Sequence, residues 1–190
     1  MDNHSELVLL RLFYTPERMA ALTDEERNAL VHSGGAMALY AKGRFGLVER
    51  DPNAEKWLLD AAAGGINDAI LTLAMLYAEV AGQEEFGLAL RLIKAVAEEG
   101  SERAAIEYAR IRIFGRYGSE KDPESVALEI EERLDEDVLA DRLWYTVLGE
   151  AYDQADRKEK ALEVWELGAE LGEATCQAIL EKFRFPLMKI

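Results

Sequence analysis

The chain has 190 residues, 49% of them hydrophobic, enough for one domain or one short array with a buried interior and too apolar for wholesale disorder. Its 37 Asp and Glu against 22 Lys and Arg give a formal charge of −15, which repels phosphate backbones and anionic lipid over most of the surface and argues against nucleic acid and membrane as partners. Cys176 is the one cysteine, so neither an intramolecular disulfide nor a thiolate zinc site can form, and a reducing, cytoplasmic setting is expected.

The opening residues Met1-Asp2-Asn3-His4-Ser5-Glu6 lack the basic region of a secretory signal, and no apolar run reaches the roughly 18 residues of a spanning helix. Thr15-Pro16-Glu17 and Thr23-Asp24-Glu25-Glu26 then read as two helix starts, the second with Glu26 at the capping-box position. Residues 1–32 are expected to be capping helices. A first hairpin closes with Asp51-Pro52, an N-cap and a proline at the first helical position, and ends at the helix-terminating pair Gly64-Gly65.

The second unit places Ala69, Ile70, Leu73, Ala74, Leu76 and Tyr77 on one helical face. After the polar stretch Gly82-Gln83-Glu84-Glu85, a second helix carries Leu88, Ala89, Leu92, Ile93, Val96 and Ala97 and ends at Gly100, suited to the left-handed closing position. In the third unit Asp122-Pro123 marks the second helix start, inside a stretch, Glu120 to Asp141, with acids outnumbering Lys121 and Arg133; this reads as a solvated face. The fourth unit is expected to have a first helix one turn longer and a correspondingly shorter loop. Past Gly172, the spacing of Ala174, Cys176, Ile179, Leu180 and Phe183 predicts a closing helix that stops near Pro186, within a tail of residues 173–190.

These units repeat. Ala54, Ala89, Ser125 and Ala161 recur at 35, 36 and 36 residues, Gly65, Gly100, Glu136 and Gly172 follow each by 11, and Ala69, Ala104, Ala140 and Cys176 follow by four more. The small column is assigned to the seam between paired helices, and Trp57, Leu92, Leu128 and Trp165 are expected to fill the space one turn later. Residues 33–172 thus form about four hairpins of one all-α domain spanning 1–190.

The pattern Ala54-x-x-Trp57-x-x-x-Ala61-Ala62-x-x-Gly65 resembles the Sel1-like repeat. The second unit matches at Ala69, Leu73, Ala74, Tyr77, Ala89, Ala97 and Gly100, and the third at Ala104, Ala109 and Gly115, with Arg112 and Glu136 departing. Tyr145, Leu148, Gly149, Tyr152, Ala161, Trp165 and Gly168 look like the related tetratricopeptide repeat. The resemblance implies a right-handed α-solenoid that serves as an adaptor or scaffold, with first helices lining a concave groove. Positions the repeat signature leaves free map there: Asp68, Leu71, Met75 and Glu79, then Arg103, Ile106, Arg110 and Phe114, then Thr146, Glu150 and Asp153.

Arg103, Ile106 and Arg110 share one helix face, a pattern able to grip a carboxylate unless the arginines pair with acids on neighbouring helices. Catalytic constellations are not found in the sequence. His4 and His32 have no Cys or His at ligand spacing, His32 is assigned to packing or capping, and Cys176 sits in the small column as a buried contact. The expectation is a non-enzymatic, cofactor-free and metal-free module that binds a protein or peptide, as monomer or homodimer. The rivals are a cognate inhibitor that covers a basic toxin or enzyme and an enzyme with an unrecognised site.

Overall fold

The computed structural model describes residues 23–184 apart from 33, 82 and 136–140. Every regular element among them is an α-helix: α1 (Asp24–His32), α2 (Gly35–Glu49), α3 (Ala54–Ala63), α4 (Asn67–Ala81), α5 (Gln83–Glu98), α6 (Glu102–Phe114), α7 (Pro123–Asp135), α8 (Leu143–Gln154), α9 (Lys158–Glu170) and α10 (Ala174–Arg184). They fall into two compact units that divide after Val80. No helix among the described residues is long and apolar enough to cross a membrane. The helix start at Thr15-Pro16 and the positions His4, Glu136, Ala140 and Pro186 lie outside the described residues.

Five helix ends close in the same way, by two hydrogen bonds that satisfy carbonyls the helix leaves orphaned. At the first, the Gly65 N–H donates to the Ala62 carbonyl and the Ile66 N–H to that of Ala61, at 3.0 and 3.1 Å. The pair recurs at Gly100-Ser101 and Gly172-Glu173, with left-handed φ of +95° and +88° at the glycines. Arg50 and Asp156 hold the same left-handed position without being glycine, at φ 59° and 58°.

In the N-terminal unit α2 and α3 pack closely because glycines face the seam. A Cβ on Gly46 would sit 2.9 Å from the Ala54 Cβ, and one on Gly43 2.6 Å from Leu58 Cγ, so only hydrogen fits at either place. Tyr40, Leu58, Ala61, Ala69 and Leu73 form the buried core of this unit. Arg27 ties α1 down through an ion pair with Glu49, and its guanidinium lies 4.4 Å from the centre of the Phe45 ring. His32 is exposed rather than packed, and its Nδ1–H donates to the Asn28 carbonyl at 2.8 Å, a contact within the last turn of α1.

In the C-terminal unit, α6, α7, α8, α9 and α10 share one core, in which Ile106, Ile113, Val126, Val147 and Cys176 are nearly or wholly shielded. The repeat register here differs from the sequence expectation. Ser125 is exposed and Val126 buried, because Asp122 caps α7 and Val126 is the first residue to bond back four positions, its N–H donating to the Asp122 carbonyl. Ala161 does the same to Arg157, so Val126 and Ala161 are the true equivalents.

The large residue that fills the seam lies four positions on in every unit, as expected for Trp165 but not for Trp57, Leu92 and Leu128, which stand three after their small residue. Leu58, Ile93, Ile130 and Trp165 are buried, whereas Leu128 is 64% exposed and Trp57 and Leu92 are half-buried. The two Asp-Pro starts also diverge. Pro123 does begin α7, but α3 begins at Ala54, after a turn in which Asp51 Oδ1 accepts from the Asn53 N–H at 2.8 Å. The fourth unit's first helix, at 12 residues, is no longer than the 13 of α6; only the connection, 155–157 against 115–122, is shorter.

Candidate functional site

The positions expected to line a groove separate by register. Leu71, Ile106 and Thr146 occupy one register on α4, α6 and α8, and all three are sealed at 0%, 1% and 0% exposure. They are core residues and present nothing to a partner: the seam residue two positions before each (Ala69, Ala104, Trp144) points nearly the opposite way and is buried too, so these helices are covered on both sides. Met75, Arg110 and Glu150 share the next register and are half-buried, as are Asp68, Arg103, Phe114 and Asp153. The Glu79 side chain lies outside the described residues.

Two of these residues meet. Arg110 donates from Nε and Nη2 to the two Glu150 oxygens at 2.9 and 3.0 Å, a fork-to-fork pair between α6 and α8 with both partners about one-fifth exposed. Burial lowers the Arg110 pKa, but the Glu150 hydrogen bonds and charge outweigh it and hold it above its usual value. The pairing with a neighbouring-helix acid is thus what the structure shows for Arg110.

Beside this row is a buried polar chain that joins α8 to α10. Glu173 caps α10, its Oε2 accepting from the Cys176 N–H at 2.7 Å and from the Thr146 hydroxyl at 2.7 Å. Thr146 has one hydroxyl proton and gives it to Glu173, so at the 3.2 Å contact with Cys176 the thiol donates. Burial pushes the thiol up, to about 12, with the Glu173 charge adding to it. Burial also raises Glu173, yet the bonds from Thr146, Cys176 and Thr175 prevail and keep its carboxyl below the usual range. This thiol is protonated and enclosed, as its column position predicts.

The surface feature that sequence reasoning missed lies between second helices. Among the described residues, Leu59, Leu88, Leu128, Leu167, Leu171 and Phe183 are large apolar side chains at 41–64% exposure, carried by α3, α5, α7, α9, the turn after α9, and α10; Val48, on α2, is the exception. In the C-terminal unit a cleft of about 210 Å³ opens between α5 and α7, over α6 and the edge of Trp144. Its walls are Ala97, Ala105, Tyr108, Ala109, Val126 and Ile130.

The cleft exists because α7 packs more against α8 than against its own hairpin partner α6. Small residues on α5 and α6 face the gap. Arg112 spans it at the rim, donating to both Glu129 oxygens at 2.7 and 2.9 Å and to Asp122 at 3.2 Å. The hydrogen bonds to Glu129 are the chief cause of its raised pKa. The signal was present in the sequence as an arginine where the second and fourth units have Tyr77 and Tyr152, together with a long third-unit loop. Among the described residues no group of three or more His, Cys, Asp or Glu is placed to hold a metal ion.

No family model matches the chain, and no curated protein matches it. Its structure is similar to that of a Sel1 repeat protein from Oxalobacter formigenes, at 19% identity and a TM-score of 0.48, over 93% of this chain and 72% of that one.

Proposed function

We propose that this chain is a non-catalytic protein-binding module whose contact surface is carried by the second helices of its C-terminal unit. The observation behind this reading is the exposure of a large leucine on each second helix of the C-terminal unit: Leu88 on α5, Leu128 on α7 and Leu167 on α9. Large apolar side chains that a helical scaffold leaves in water favour a partner's surface, and rigid helix faces hold them without ordering cost at binding. The first-helix row is the weaker surface, since its fully buried members are core and Arg110 is already engaged by Glu150.

Affinity capture from native cells tests the reading, with Leu128→Asp and Leu167→Asp beside the double variant Arg103→Ala/Arg110→Ala. The expected result is a stoichiometric partner lost by the leucine variants and kept by the arginine one. Retention by the leucine variants with loss by the arginine variant would move the site to the first helices. Turnover of a small molecule in an unbiased metabolite screen would replace the reading by an enzyme.

A second reading rests on α9, where Glu159, Glu163, Glu166 and Glu170 are exposed at spacings that place them along one helix face. Such a stripe suits a cognate inhibitor that covers a basic toxin or enzyme. Co-purification with a basic toxic protein, reversed by Glu163→Lys/Glu170→Lys, distinguishes it.

A further inference from the structure

We infer that the cleft between α5 and α7 receives one large apolar side chain from an acidic segment of the partner protein, with flanking carboxylates on Lys94 and Arg133. The inference rests on the protein-binding reading above and gives it a partner chemistry.

Size comes first. At about 210 Å³ the cleft is below the roughly 300 Å³ at which cofactor and small-molecule pockets begin; its apolar lining is Ala97, Ala105 and Tyr108, with Val126 and Ile130 almost wholly buried behind them. A pocket of this size and lining takes a single apolar anchor, the form in which interface energy concentrates.

Charge then selects the anchor's surroundings. The chain carries −15 overall, but the cleft is bordered by Lys94, Arg112 and Arg133 against Glu98 and Glu129. Arg112 is fixed by Glu129 and Asp122 and braces the opening. Lys94 reaches Glu98 only at 3.7 Å, with 53% and 67% exposure, a pair worth little and readily exchanged. Arg133 is exposed and has no ion-pair partner among the described residues. Lys94 on α5 and Arg133 on α7 therefore offer two exchangeable cations on opposite rims of a slot whose floor is apolar. A basic segment would meet both of them as repulsion.

Fluorescent dodecapeptides serve as probes: one with a central Phe flanked by Glu, one with the same Phe flanked by Lys, and one with the Phe of the first replaced by Ala. Fluorescence anisotropy on the full chain should show saturable binding of the Phe–Glu peptide, weakened about tenfold or more by loss of either the Phe or the acids. Ala105→Phe, which fills the slot, should weaken it by a similar factor. Lys94→Glu/Arg133→Glu, confined to exposed positions that leave folding intact, should reverse the preference to the Lys-flanked peptide. The proposal is overturned by equal affinity for the Phe and Ala peptides, by no saturable binding up to millimolar protein, by an unreversed preference in the charge variant, or by a concentration-dependent dimer that Ala105→Phe abolishes. A captured cellular partner that binds both variants undiminished would remove the cleft and leave the binding-module reading standing.

Discussion

The third and fourth hairpins share a helical frame but not a seam. In the fourth, Gly149 lets α8 approach so closely that a Cβ there would lie 2.1 Å from Trp165 Nε1, and that indole donates to the Thr146 carbonyl at 3.2 Å. In the third, Ala109 stands at the register of Gly149 and Ile130 at that of Trp165. A methyl where there was none, facing a smaller partner, leaves the helices apart, and Arg112 bridges the rim where the fourth hairpin has Tyr152. How close two helices approach depends on the smallest residue at their crossing and the largest residue that fills what remains.

The strongest way to break this contrast is to remove the fillers. Trp165→Ala should cost about 3–5 kcal/mol, since a sealed seam cannot collapse around the loss. Ile130→Ala should fall at the lower end of the aliphatic range, about 2 kcal/mol, because it deletes a smaller side chain from a seam that borders the cleft. Urea unfolding of both measures the difference, and equal costs would mean the third seam is as closed as the fourth.

Swapping the small residues comes next. Gly149→Ala forces its methyl into Trp165 and should cost about 2–3 kcal/mol through overpacking. Ala109→Gly removes a methyl from the wall of a cleft and should cost no more than about 1 kcal/mol, the backbone penalty of a glycine within a helix. A Gly149→Ala protein as stable as the parent would show that Trp165 has room to move.

The helical character, the hairpin pairing and the glycine-closed helix ends were all legible from the spacing of small and apolar residues. The register within the third unit was not. Ser125 fits a 36-residue interval, but the Asp122 cap fixes where α7 begins, and that places Val126 rather than Ser125 at the seam. Position in a repeat counts residues, whereas burial follows the helix phase set by the cap. The groove residues Leu71, Ile106 and Thr146 were assigned to a free surface but are core, because these first helices are buried on more than the seam face. The cleft itself was not legible, because it arises from what α7 does not touch. The arginine at 112 and the long third-unit loop pointed toward the place without showing the gap.

The polar groups of the two hairpins should also respond to different solution variables. Glu173 is depressed in the folded chain, so its contribution is present above the unfolded carboxyl pKa and is lost as pH falls through the folded value. Cys176 is raised to about 12, so its contribution is complete below the ordinary thiol value of 9.0 and drains away as pH rises from there. Melting curves across pH should therefore flatten at the acid end in Glu173→Gln and at the alkaline end in Cys176→Ala. Arg112→Met, by contrast, should cost about 1 kcal/mol and less at high salt, because its pairs sit at the surface. An acid limb unchanged in Glu173→Gln would assign that limb to other carboxylates.

The last contrast lies at the turns, where the same left-handed residue is glycine in one hairpin and not in the other. Gly115, at φ +65°, precedes the Arg116 N–H that donates to Ile111, and Asp156, at φ 58°, precedes the Arg157 N–H that donates to Tyr152. Both turns need the conformation, but only the first is free of the clash between Cβ and carbonyl that it imposes. Asp156→Gly should therefore raise stability by up to about 1 kcal/mol, with the entropy of an added glycine in the unfolded chain offsetting part of the relief. Gly115→Ala should lower it by about 1–2 kcal/mol, since the new methyl adds a contact of 3.2 Å with Lys121 Cβ to the backbone strain. Opposite signs in paired thermal melts are the expected result. If Asp156→Gly destabilises instead, the aspartate side chain contributes more at that turn than its backbone strain removes.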